Sequence, residues 1–124
     1  MERNLNEKLA RYQRLDLIAS AIIADTMKFR GTTYVPLGFP PETFGRFVVG
    51  IGGDFVPLDA SNIYEVTVHY LRSGLPFGTW IENGHIYFDY VVFFEDLEEA
   101  LKRAKENSQA AIYDLLTEEC IYVS

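Results

Sequence analysis

One cysteine, Cys120, in 124 residues excludes an intrachain disulfide and the four-cysteine and two-cysteine-two-histidine zinc sites. Imidazole is almost as scarce. His69 and His85 are the only histidines, too few and too separated for a histidine-rich metal centre, so no metal and no cofactor are expected. No uninterrupted apolar run approaches the ~20 residues of a membrane span. The opening Met1-Glu2-Arg3-Asn4-Leu5-Asn6 lacks the apolar core of a signal peptide, and with no disulfide framework a cytoplasmic setting is expected. Positive charge is short as well: 11 Lys and Arg face 18 Asp and Glu, for a net charge of −7. That excludes a broad basic field for nucleic acid. The imbalance is uneven, with a net +2 over residues 1–46 and −9 over residues 47–124.

What is present is a core. Hydrophobic residues make up 48% of the chain and aromatics 15%, enough for one domain that folds without staples. The pattern predicts a single α+β domain over 1–124. It has a long N-terminal helix within 1–30, a Gly/Pro-rich connector over 31–46 and a body over 47–124. The body is a mainly antiparallel β-sheet with hairpins, on which one or two further helices pack.

Over residues 5–29, Leu5, Leu9, Tyr12, Leu15, Ile18, Ala19 and Ile22 make one broad apolar stripe. Asn4 or Asn6 is placed to cap its start, and Gly31 follows Lys28 and Arg30 as a stop. Residues 18–24 are apolar nearly all round, which is the basis for expecting a homo-oligomer. In the connector, Tyr34, Leu37, Phe39 and Phe44 are too apolar to be left in water, so packing on the body or a partner is expected. Residues 46–51 read as a strand, Gly52-Gly53-Asp54 as a turn, and residues 55–58 as a short returning edge piece, because Pro57 cannot donate to a ladder. Residues 59–73 carry both a strand-like alternation and helix punctuation: Asp59 or Ser61 in front, Arg72 and Gly74 behind. The punctuation favours helix.

Asn83-Gly84 between two β-prone runs is a type I′ hairpin signal. The register then sets Glu82 against His85, Ile81 against Ile86 and Trp80 against Tyr87, and one face carries Trp80, Glu82, His85, Tyr87 and Asp89. Residues 96–107 read as a surface helix with Asp96 and Glu99 as a capping box and Leu97, Ala100, Leu101 and Ala104 inside. Two strands near 111–116 and 120–123 close the chain.

Catalytic signatures are thin. Gly50-Ile51-Gly52-Gly53-Asp54 has glycines but no helix opening behind them, so it is no dinucleotide fingerprint. Cys120 follows Glu118 and Glu119, an acidic setting that works against a nucleophilic thiolate. No nucleophile sits beside a base, so no catalytic residue is assigned and the chain is read as a non-enzyme. The hairpin face is the chemically richest surface. Trp80 opposite Tyr87 offers a stacking platform, flanked by Glu82, His85 and Asp89 as hydrogen-bonding groups. Arg30, Arg46 and Arg72 lie near element ends, where an arginine can grip phosphate.

The run Gly78-Thr79-Trp80-Ile81-Glu82-Asn83-Gly84-His85-Ile86-Tyr87-Phe88-Asp89, with Asp96-Leu97-Glu98-Glu99-Ala100-Leu101, the segment 104–115 and Ile121-Tyr122-Val123, resembles small accessory proteins encoded by bacteriophages and prophages. The likeness covers about residues 46–124. Lys105 stands where such proteins often carry arginine, which adds it to the candidate ligand contacts, and Gln109 is shared. The resemblance implies a cytoplasmic protein of an infected bacterium that counters host defence. Such a protein would sequester a host nucleotide-derived signal, such as a cyclic ADP-ribose derivative or a cyclic oligonucleotide, in the manner of Thoeris anti-defence sponges. Two alternatives are carried beside it: an acidic inhibitor that docks on a host defence protein or mimics nucleic acid, and a small hydrolase. The expected partners are therefore a small nucleotide-like ligand or a host protein, with no membrane and no broad nucleic-acid binding.

Overall fold

The computed structural model describes residues 2–39 and 45–123, with side chains from Gln13 onward. Its elements are α1 (Glu2–Phe29), β1 (Gly31–Tyr34), β2 (Phe47–Pro57), α2 (Ile63–Arg72), β3 (Phe77–Glu82), β4 (His85–Phe94), α3 (Leu97–Glu106), β5 (Ala111–Asp114) and β6 (Glu119–Tyr122). The six strands form one antiparallel sheet in the order β1-β3-β4-β2-β5-β6. The result is the α+β fold expected from the pattern. No helix in the described chain is long and apolar enough to cross a membrane.

The period-2 rule sorts the sheet into two faces. On one face Ile86, Phe88, Phe77, Tyr70, Leu71, Ala19 and Ile22 form a core under α1 and α2. Further along the same face Phe47, Val49, Ile112, Ala100 and Ala104 form a second core under α3. Among the described residues no helix covers the other face. Tyr70 ties α2 to the long strands. Its ring lies against Phe88, Tyr90 and Phe77 with centroids 5.4, 4.8 and 5.4 Å away. Its hydroxyl donates to Asp54 Oδ2 at 2.8 Å, and burial and that bond push its pKa well above the usual tyrosine value.

The hairpin expected at Asn83-Gly84 is present in the expected register. Asn83 and Gly84 take positive φ of 51° and 75°, as a type I′ turn needs. The helix in residues 59–73 is also present, with Gly74 at φ 71° behind it.

Other expectations are corrected. Gly52-Gly53-Asp54 is no turn, and β2 runs unbroken from Phe47 to Pro57. One extra residue, Ile51, is taken up as a bulge between Gly50 and Gly52, with Gly52 at φ 123°. A bulge lets a glycine-rich segment stay in the ladder. The connector starts later than expected, because Gly31–Tyr34 pairs with β3. Helix α1 begins at Glu2, before Asn4 and Asn6, so neither caps it. It stops with Arg30, not Gly31, in the left-handed conformation, at φ 67°. Asn62 rather than Asp59 or Ser61 precedes α2. Asp96 stands at the N-cap of α3 but makes no side-chain capping bond. The carboxylates of Glu98 and Glu99 in the first turn still complement the helix dipole. The inner side of α1 packs through Leu15, Ile18, Ala19 and Ile22. Leu17 and Phe29 are exposed. The side chains of Leu5, Leu9 and Tyr12, and the expected packing of Phe44, lie outside the described residues.

One ion pair fastens the β5 end of the sheet. Asp114, 2% exposed, accepts two hydrogen bonds from Arg46, at 2.9 and 2.8 Å, and further ones from the Leu116 and Thr117 amides. The Arg46 guanidinium holds the Asp114 carboxyl far below its ordinary range. A carboxyl depressed by folding contributes stability that is complete above its ordinary pKa and is lost as pH falls below it. The Tm of the wild-type chain is therefore expected to fall below about pH 4. Asp114→Asn is expected to start lower at neutral pH and to lose less over the same interval, as read by circular-dichroism melts.

Candidate functional site

The uncovered face is built row by row by the strand register. Gly31, Trp80, Tyr87 and Phe55 are successive cross-strand partners on β1, β3, β4 and β2. Trp80 and Tyr87 have ring centroids 5.6 Å apart, and Tyr87 and Phe55 5.4 Å apart. His85 closes the row edge-on to Phe55 at 5.5 Å. The three rings of Trp80, Tyr87 and Phe55 thus form an aromatic shelf across three strands, with successive planes tilted by 55° and 32°. Phe55 is 61% exposed, while Trp80 and Tyr87 are half-buried. Val48 and Val91, further along the face, are buried, so the open part is the half that carries the shelf.

The next row is made of small residues around a single acid. Asp89 lies between Gly53 on β2 and Gly78 on β3, with Tyr87 before it and Val91 after it on the same face. Gly78 leaves one flank of Asp89 as a slot without a side-chain wall, while at Gly53 the place of a Cβ is taken by the Phe88 carbonyl oxygen and the Tyr70 hydroxyl. Asp89 is half-buried, and burial alone pushes its carboxyl pKa up. Among the described residues no hydrogen bond or ion pair reaches it. Gln109, in the loop after α3, reaches the slot from the side. A Cβ on Gly50 would stand 3.1 Å from Gln109 Oε1 and 3.4 Å from Asp89 Cβ.

His85 Nδ1 lies 2.9 Å from the Asn83 carbonyl oxygen. A carbonyl can only accept, so that nitrogen carries the proton, and a neutral ring keeps Nε2 as an acceptor. Glu82 faces His85 in the register, yet the two make no ion pair among the described residues.

The structure therefore brings Trp80, Tyr87, His85 and Asp89 together on one face. It does not bring the four expected cations together. Arg30 borders the shelf: its carbonyl accepts from the Ile81 amide at 2.9 Å. Arg46 is engaged by Asp114 and lies over the Phe47 ring at 5.1 Å. Arg72 ends α2 and Lys105 is in the last turn of α3, both on helices of the covered face. A phosphate grip made of all four is not assembled within one chain. Among the described residues, no three His, Cys, Asp or Glu are grouped to hold a metal ion. The larger hollow described, about 460 Å³, lies away from the shelf, between Gly45, Arg46, Glu95, Leu115 and Leu116. It is wide open, with a guanidinium already paired, and offers little chemistry.

Sequence reasoning missed Phe55 and the placement of Gln109 beside Asp89. In the sequence Phe55 reads as part of a strand beyond a turn, which hides its register with Tyr87. The available signal was a pair of glycines inside a β-prone run, a usual mark of a bulge. Gln109 carried no such signal, because only the fold brings its loop to Gly50. No family model, curated protein or solved structure matches the chain.

Proposed function

We propose that this chain is a binding protein for a planar, nucleobase-bearing small molecule, held without any bond being broken. The observation that carries this reading is the aromatic shelf of Trp80, Tyr87 and Phe55 on a face without a helix. Aromatic side chains not needed for either core, set side by side and accessible, suit stacking of a flat heterocycle. Asp89 next to them, without a hydrogen-bond partner among the described residues, supplies acceptors for ring N–H groups. Sequestration of a nucleotide-derived signal is the role that joins this face to the phage-protein resemblance. Arg30, which precedes the Gly31 partner of Trp80, is the cation proposed to meet a phosphate on such a ligand.

Stacking contributes about 1–3 kcal/mol per base and a hydrogen bond to a charged group about 1.5–3 kcal/mol. In the upper half of their summed range, about 4–6 kcal/mol, they correspond to a Kd of roughly 40 µM to 1 mM. A ligand at ten times its Kd then adds about 1.4 kcal/mol to stability. The test is a thermal-shift panel of nucleosides and nucleotides on the wild-type chain and on Trp80→Ala, with each mixture checked for product. The expected result is a shift of about 3–8 °C for some nucleobase-bearing compounds, abolished in the variant, with the compound recovered intact. Turnover of the compound, or shifts that persist in Trp80→Ala, would overturn the reading.

A further inference from the structure

We infer that the ligand on this face presents two adjacent N–H donors to Asp89, the edge guanine offers through N1–H and its 2-amino group, so that guanine-bearing compounds are preferred to adenine-bearing ones. The inference rests on the stacking role proposed for Trp80 and Tyr87 and adds to it the choice of base.

Among the described carboxylates only Asp89 and Asp114 are withdrawn from solvent. Asp114 takes bonds from Arg46 and two amides, Asp54 takes the Tyr70 hydroxyl, and Asp16 takes the Tyr64 hydroxyl. Asp89 is half-buried and takes none among the described residues. A carboxylate withdrawn from water without donors is costly, and the described residues supply no compensation. Burial raising its pKa is the electrostatic trace of the same fact.

The surroundings select the shape and polarity of what fits. The cross-strand neighbour Gly78 leaves one flank of Asp89 open, and at the other end Gln109 closes in, since a Cβ on Gly50 would stand only 3.1 Å from Gln109 Oε1 and 3.4 Å from Asp89 Cβ. The Gln109 amide nitrogen donates to the Asn107 carbonyl at 3.4 Å, which leaves Oε1 as the end next to the slot. The slot therefore offers acceptors on two sides. Tyr87 precedes Asp89 by two residues on the same face, so the carboxylate lies just beyond the edge of a ring stacked on the shelf. An ionised carboxylate can accept from two donors at once. Guanine brings N1–H and N2–H side by side. Adenine sets the acceptor N1 beside its single amino group, and that acceptor meets the carboxylate unfavourably. Inosine has N1–H alone.

The experiment is calorimetric titration of the full chain with guanosine, inosine and adenosine, which lack phosphate. It is run on the wild-type chain, Asp89→Asn and Trp80→Ala. The wild-type chain is expected to bind guanosine about tenfold to a hundredfold tighter than adenosine, with inosine between. Asp89→Asn is expected to lose that ranking while remaining folded, since it removes a carboxylate that burial disfavours. Equal affinity for the three nucleosides, with Trp80→Ala weakening all of them, would overturn the choice of base and leave the stacking role standing. A guanosine preference that survives Asp89→Asn would overturn the assignment to Asp89. Absence of binding by every nucleoside at millimolar concentration would overturn the inference and the stacking role together.

Discussion

Adding one methyl group at Gly53 is expected to lower the Tm by about 10–20 °C, the consequence of roughly 3–5 kcal/mol of destabilisation. An ideal Cβ there would stand 1.7 Å from the Phe88 carbonyl oxygen, 2.7 Å from its carbon and 2.8 Å from the Tyr70 hydroxyl. Two of these atoms are backbone and the third is held by its bond to Asp54, so no flexible tip can move aside. Relief requires β2 to part from β4 next to the bulge, and with it the contact that Tyr70 makes to both strands. Gly78→Ala is the matched control, because Gly78 is the other cross-strand neighbour of Asp89. Its added Cβ would meet Thr32 O at 3.5 Å and Val91 Cγ1 at 3.6 Å, which is ordinary contact. A change within about 0.5 kcal/mol is expected at that position. Melts of the two variants side by side separate close backbone approach from a general dislike of alanine in this row. Equal Tm values would contradict the bulge geometry.

Trp80→Ala is expected to weaken binding of a nucleobase-bearing ligand by about tenfold to a hundredfold and to leave the chain folded. Trp80 belongs to neither core cluster. Its ring contact is with Tyr87, on the face away from α1, α2 and α3. Truncation therefore removes one end of the shelf, while Phe77, Ile86 and Phe88 stay buried under the helices. Calorimetric titration of wild-type and variant with the same nucleoside reads the loss. A far-ultraviolet circular-dichroism spectrum matching the wild type shows that the loss is local. Loss of the folded spectrum would instead place Trp80 among the residues that hold the sheet together.

The parts of this account that were legible in the sequence are those governed by local rules. The Asn83-Gly84 turn fixes a register, and the register alone puts Trp80, Tyr87, His85 and Asp89 on one face. The α2 helix followed from its end signals. The site was legible only along this hairpin, because its third wall comes from β2. Phe55 and Gly53 reach Tyr87 and Asp89 through a bulge at Gly50 and Gly52, and a glycine-rich bulge and a glycine-rich turn look alike in sequence. The pairing of Gly31–Tyr34 with β3 was hidden for a related reason: four residues before a proline-rich stretch carry too little pattern to stand out from a loop. Charge misled most. Arg30, Arg46 and Arg72 were grouped by chemistry, but non-local packing disperses them, and Arg46 is committed to the buried Asp114.

The most direct test of the binding face is the fluorescence of the chain itself. Trp80 is the single tryptophan and forms part of the shelf, so tryptophan-selective excitation reports on that face and no other. Titration with guanosine is expected to give saturable quenching of Trp80 emission, with a midpoint matching the calorimetric Kd and no chemical change in the nucleoside. Emission that stays unchanged up to millimolar nucleoside, in a chain shown to be folded, would contradict the shelf as a stacking site.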